Sequence, residues 1–128
     1  MSAQHPVSIA CRWFEIPAID FERAIDFYEK LFELSLQRQI IDGSQLAVFP
    51  HPDSVNGGCV VKADAYRPGQ DGTVIYLTSR FDMEETIARA IRNGGRLLTP
   101  KTMLPGDLGC YAHILDCEGN RIGLHAQH

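Results

Sequence analysis

Glu15 sits where a carboxylate is least expected. It lies in an apolar, β-prone run, VSIACRWFEI (residues 7–16), two positions after Trp13. Side chains alternate along a strand, so Cys11, Trp13 and Glu15 share one face. A carboxylate held beside an indole would lose hydration, and its pKa would rise toward a range useful for proton transfer. The other outcome is an ion pair with Arg121, His125 or a neighbouring arginine, which stabilises the charged form. Arg121, Gly123 and His125 alternate in the same way along RIGLHA, and His113 lies in CYAHILD. Glu15, His113 and His125 would together supply a carboxylate and two imidazoles, the donor set of a facial metal site, or each histidine would simply be hydrogen-bonded. Their spacing along the chain gives the metal site no support. Trp13 and Tyr111 would stack a flat ligand or serve as core, since aromatic rings do both. Lys101, in the segment after Pro100, would reach an anionic ligand group or stay solvated. His5, His51 and His128 fall in expected loops or ends. Serine or cysteine nucleophile patterns and phosphate-cradling glycine loops are missing.

The elements that must position these residues repeat. WFEIPAIDFERAIDFYEKLF (13–32) reads as strand, proline corner, aspartate cap and amphipathic helix, and the plan returns in IYLTSRFDMEETIARAIRNG (75–94). Asp20 and Asp82 open the two helices, and Asp82 with Glu85 makes a capping box. Ala24, Ile25, Phe27, Tyr28, Leu31 and Phe32 form the buried stripe of the first helix, each large side chain contributing about 1.5–3 kcal/mol. Met83, Ile87, Ala90 and Ile91 form that of the second, which Asn93-Gly94-Gly95 ends. Three strands follow each helix. LSLQRQII turns at Asp42-Gly43 into QLAVF, a strong hairpin signal, and GGCVVKA is next. RLLTP, CYAHILD and RIGLHA are the later three, with KTMLPGDLG as a loop and CEGN as a turn. DAYRPGQDG (64–72) is the linker between the halves.

The totals narrow the function classes. A chain of 128 residues, 45% hydrophobic and 22% charged, suffices for one folded domain. A net charge of −4, a pI near 5.7 and the lack of a basic cluster argue against nucleic acid as partner. No apolar run approaches a membrane span, and MSAQHPVSIACRW lacks a signal-peptide layout, so a soluble cytoplasmic protein is expected. The four cysteines form no C-x-x-C pair. Cys11, Cys59 and Cys110 sit in apolar runs and read as packing, whereas Cys117, in a polar turn, is expected to be the exposed one.

Three stretches carry a family resemblance. They are Asp20, Arg23, Ala24, Phe27 and Tyr28 in the first helix, the Gly94-Gly95 pair, and the hairpin Asp116, Cys117, Glu118, Gly119 and Asn120. With the paired βαβββ plan, the chain resembles the vicinal oxygen chelate superfamily: glyoxalase I, bleomycin-resistance proteins and extradiol dioxygenases. The resemblance implies an α+β fold, with two tandem βαβββ units (7–63 and 72–126) in a single domain (1–128). These would form one strongly curved, barrel-like mixed sheet with the helices outside.

In metal-dependent members the concave sheet carries His or Glu ligands. Carried onto this sequence, those positions are Trp13, Val60 or Val61, Ile75 and Gly123, none able to bind a divalent ion by side chain. The resemblance therefore implies a scaffold without its family metal centre and no cofactor. It also implies a concave face, with Arg121 and His125 pointing inward beside Gly123. The expected function is binding of a small organic molecule there, with Trp13, Lys101, Tyr111, His113, Arg121 and His125 as contacts. The alternative is a glyoxalase-like lyase or isomerase using Glu15 as base, or a metal held by Glu15, His113 and His125. Open strand edges predict a homodimer.

Overall fold

The computed structural model describes residues 11–52 and 57–128 of the chain. His5 and residues 7–10 of the first expected strand lie outside the described residues. The elements run β1 (Trp13–Pro17), α1 (Phe21–Phe32), β2 (Gln37–Ile41), β3 (Ser44–Val48), β4 (Gly57–Lys62), β5 (Tyr76–Thr78), α2 (Met83–Arg92), β6 (Arg96–Met103), β7 (Cys110–Leu115) and β8 (Arg121–Ala126).

Local chemistry sets most of the boundaries. The Asp20 side chain accepts from Arg23 N at 3.2 Å, and Asp82 from Glu85 N at 3.0 Å, each satisfying a helix-start amide. Asp42 and Gly43 both take positive φ (49° and 79°), the tight-hairpin geometry that joins β2 to β3. Gly94, at φ 101°, closes α2. The α2 stripe differs from expectation. Met83, Thr86 and Ala90 are buried, whereas Ile91 is exposed. Thr86 is admitted because its hydroxyl donates to Asp82 O at 3.0 Å.

The strands form two separate four-stranded mixed sheets, ordered β1-β4-β3-β2 and β5-β8-β7-β6. This overturns the expectation of one strongly curved, barrel-like sheet. The reason lies at the seam. β1 pairs only with β4, in parallel, and β5 has three residues, all paired to β8. No ladder joins β5 to β1, so each is the edge of its own sheet. The halves are joined by helices, side chains and turns instead.

Both sheets nevertheless share one core. Ile16, Ala47 and Val60 from the first sheet, and Leu77, Ala112, Ile114, Ile122 and Leu124 from the second, cluster with the buried face of α1. The hairpin turn between β7 and β8 is bolted to the first half. Buried Asp116 accepts from Glu118 N and Asn120 N through Oδ1, and from the Tyr28 hydroxyl and Asn120 Nδ2 through Oδ2. Asn120 Nδ2 also donates to Pro17 O at 2.8 Å. Glu118 accepts from Asp20 N at 2.8 Å and pairs with Arg23, holding the start of α1. At the other end of that helix, Arg80 and Arg89 donate to the carbonyls of Glu33 and Lys30.

One strand runs longer than expected. β6 continues through Pro100 to Met103, where a loop was predicted. It is an edge strand, and its register shifts between Leu97 and Thr102, so Pro100 interrupts no required ladder bond.

Candidate functional site

The face of each sheet turned away from the core carries the candidate residues. On the first sheet, Trp13 and Glu15 alternate with Phe14 and Ile16, which turn to the core. Their ladder partners Gly57 and Cys59 lie on the same face, beside Leu46, Val48 and Val61. Those last three and Cys59 make a small buried cluster of their own. Glu15 is exposed rather than enclosed, and its carboxylate accepts a hydrogen bond from Tyr66. That bond, then the carboxylate's charge, raises the Tyr66 phenol above its usual pKa. Burial, then the same charge, pushes the Cys59 thiol up to about 12. Trp13 meets the His51 ring edge-on at 6.4 Å.

On the second sheet the open face carries Tyr76, Tyr111, His113, Arg121, Gly123 and His125. Tyr76, Tyr111 and His113 pack ring to ring at 5.3–6.3 Å. The Tyr76 hydroxyl lies 2.7 Å from His113 Nε2, and an Arg121 guanidinium nitrogen lies 2.9 Å from His113 Nδ1. Burial, then the Arg121 charge, lowers the His113 pKa. His125 is held separately, by Leu108 O at 2.6 Å from Nε2. Gly123 is a packing requirement here: a Cβ at that position would stand 2.5 Å from the Tyr76 ring.

Between the halves runs a cleft of about 430 Å³. It follows the unpaired edge of β1 and is lined by Trp13, Glu15, Arg67, Asp71, Thr73 and Arg121, with Cys11 at its side. The gap between the two sheets is therefore an opening lined from both halves. Arg121 borders both this cleft and His113.

Several expected site residues fall elsewhere. Lys101 lies on β6 and pairs with Glu84 of α2 at 2.9 Å, away from His113 and its neighbours. Glu15 and Arg121 line the same cleft, but no ion pair between them forms among the described residues; Arg121 turns to His113 instead. Ile75 packs against the core, and the neighbouring Tyr76 holds the open-face position opposite Gly123. Val60 also turns to the core, leaving Val61 and Cys59 on the open face. Cys117 is half-buried with its thiol pushed up to about 12, by burial first and Asp116 second, while Cys11 is the exposed thiol. Tyr66, Arg67 and Tyr76 were not singled out from sequence. Tyr66 and Arg67 lie in a linker without periodicity, and Tyr76 is one residue out of the expected parity.

The positions that the resemblance gives to metal ligands do not fit a metal. Of those positions, Trp13, Val61 and Gly123 lie on the open faces while Val60 and Ile75 turn to the core, and together they offer no set of three or four oxygen or nitrogen ligands. Glu15, His113 and His125 are engaged with Tyr66, with Tyr76 and Arg121, and with Leu108. Among the described residues, no group of three or more His, Cys, Asp or Glu could hold an ion.

No protein family and no curated protein matches the chain in sequence. Solved structures do match in fold. A glyoxalase/bleomycin resistance protein from Albidiferax ferrireducens superposes with a TM-score of 0.68 at 15% identity, over 91% of this chain and 97% of that one. A glyoxalase family protein from Bacillus cereus gives 0.62 at 18% identity, over 98% and 97%. Glyoxalase I from Zea mays gives 0.63 at 18% identity over 90% of this chain, which spans only 45% of the maize protein. The chain thus has the glyoxalase and bleomycin-resistance fold.

Proposed function

We propose that this protein binds a small organic molecule in the cleft along β1 and on the adjoining open faces, using side chains in place of a metal. The observation that carries the reading is the cleft of about 430 Å³ between the halves, a volume usual for small-molecule sites, with an indole, two carboxylates and two guanidiniums on its walls. Trp13 supplies an apolar plane, and Arg67 and Arg121 supply charge for an anionic group. Trp13 is the single tryptophan, so its emission reports occupancy directly. Titration with fractionated cell extract should give a saturable change in that emission, weakened in Arg121→Ala. Absence of a saturable response from any fraction would refute the reading.

The enzymatic alternative, a glyoxalase-like lyase or isomerase, has one supporting observation. Glu15 lines a second groove of about 330 Å³ beside Leu46, Val61 and Tyr66, where a hydrogen-bonded carboxylate would face a bound carbon acid as base. Glu15→Gln with undiminished turnover of a bound ligand removes this reading. We also infer a homodimer, because β2 is an edge strand exposed throughout, with Ile40 and Ile41 outward.

A further inference from the structure

Two neighbours fix the proton arrangement of His113. A guanidinium only donates, because it holds its charge throughout the accessible pH range and has no free lone pair. The Arg121 nitrogen at 2.9 Å must therefore donate to Nδ1, which accepts through its lone pair. A neutral imidazole with a bare Nδ1 carries its proton on Nε2. Nε2–H then donates to the Tyr76 hydroxyl oxygen at 2.7 Å. With that oxygen accepting, the phenolic proton turns away from the histidine. No acceptor for it is found among the described residues. Tyr76 is 53% exposed, so this proton meets the space above the second sheet.

We propose that Arg121, His113 and Tyr76 form a one-way hydrogen-bond chain whose outward end, the Tyr76 hydroxyl, donates to the carboxylate of a flat aromatic acid bound on this face. The assignment rests on reading the open faces as a ligand site and adds the chemical class of the ligand. Three features support that class. A phenol whose oxygen already accepts is a stronger donor, because each bond in such a chain polarises the next. Arg121 places a fixed positive charge at the far end and also borders the cleft. The Tyr76 and Tyr111 rings, 6.3 Å apart and nearly perpendicular, offer a ring face and a ring edge to an aromatic ligand. Gly123 completes the arrangement, since any side chain there would lift Tyr76 off the sheet and away from His113.

Two measurements test it. Imidazole nitrogen shifts of His113, assigned by their loss in His113→Asn, should show Nε2 protonated and Nδ1 bare near neutral pH, with mixed tautomers in Arg121→Met. The opposite tautomer, or one unchanged in Arg121→Met, overturns the chain. Sodium benzoate should bind saturably, by Trp13 emission and Tyr76 ring resonances, and about tenfold more weakly to Tyr76→Phe, the loss expected for one hydrogen bond to a charged group. Benzyl alcohol should not distinguish the two proteins. Equal benzoate affinity in Tyr76→Phe overturns the role of the hydroxyl and leaves the cleft reading standing. A lack of saturable benzoate binding overturns the carboxylate assignment, while the extract titration judges the cleft separately.

Discussion

The Tyr28 hydroxyl donates to Asp116 Oδ2 across 2.6 Å, with both side chains almost wholly excluded from water. The bond ties the middle of α1 to the turn between β7 and β8, 88 residues further along the chain. Burial, then the Asp116 charge, raises the Tyr28 pKa well above its usual value, so the phenol remains a donor. Tyr28→Phe keeps the ring packing and removes one of the four bonds the carboxylate accepts. The expected cost is about 1–3 kcal/mol in urea unfolding, since a buried charged acceptor is left under-satisfied. Asp116→Ala strands four donors at once and should cost more than Tyr28→Phe.

Two glycines with close neighbours should respond differently to an added methyl group. A Cβ on Gly95 would meet Leu115 O at 2.7 Å and Ala90 O at 3.0 Å, both backbone atoms that cannot move aside. Gly95→Ala should destabilise by about 2 kcal/mol or more through overpacking. At Gly123 the obstacle is the exposed Tyr76 ring, which can swing outward. Gly123→Ala should change stability by less than about 1 kcal/mol, yet abolish the Tyr76–His113 bond. Thermal unfolding and ring resonances separate the two effects.

The parts of this architecture that are written locally were legible in the sequence. Asp20 and Asp82 as caps, the Asp42-Gly43 hairpin and the α1 stripe each depend on neighbours within one turn of chain. What escaped depends on distant partners. Which of Ile75 and Tyr76 faces outward is set by parallel pairing of β5 with β8, some 45 residues away. Pro100 predicts the end of a strand and a loop at Lys101, and only the edge position of β6 makes that proline harmless. Tyr66 joins the site through a bond to Glu15 that no periodicity announces. The break between the sheets was invisible for the same reason: it is a matter of which distant strands pair, β1 with β4 and β5 with β8.

Thiol chemistry should single out Cys11. Cys59 and Cys117 are pushed up to about 12, and Cys110 is buried. At a pH of about 8 the first two hold roughly one thiolate in ten thousand, and only the thiolate reacts with maleimide. One rapid modification per chain is expected, lost in Cys11→Ser. A second rapid site by mass spectrometry would contradict the burial of the others.

If the homodimer forms through the edge of the first sheet, light scattering at micromolar concentration should give about twice 14.3 kDa. Ile40, 78% exposed on β2, is the residue to charge. Ile40→Lys should return the monomer without loss of helix signal. A monomeric wild type refutes the association.

His113 should make stability pH-dependent in a direction fixed by its surroundings. Arg121 faces it from β8, Tyr76 from β5 and Thr99 from β6, with Tyr111 beside it on its own strand. Burial and the guanidinium both disfavour a second proton on the ring, so its folded pKa lies below the ordinary 6.5. Between the folded and unfolded values the unfolded chain binds more protons. Stability therefore rises with pH across that window, is complete above about 6.5 and declines as pH falls through the lowered pKa. Histidine resonances should report a His113 midpoint below the ordinary 6.5. Arg121→Met removes the second cause and should move the midpoint up and narrow the window. A His113 midpoint at or above 6.5 would mean that the guanidinium does not sit against Nδ1 in solution, and the direction of the hydrogen-bond chain would fall with it.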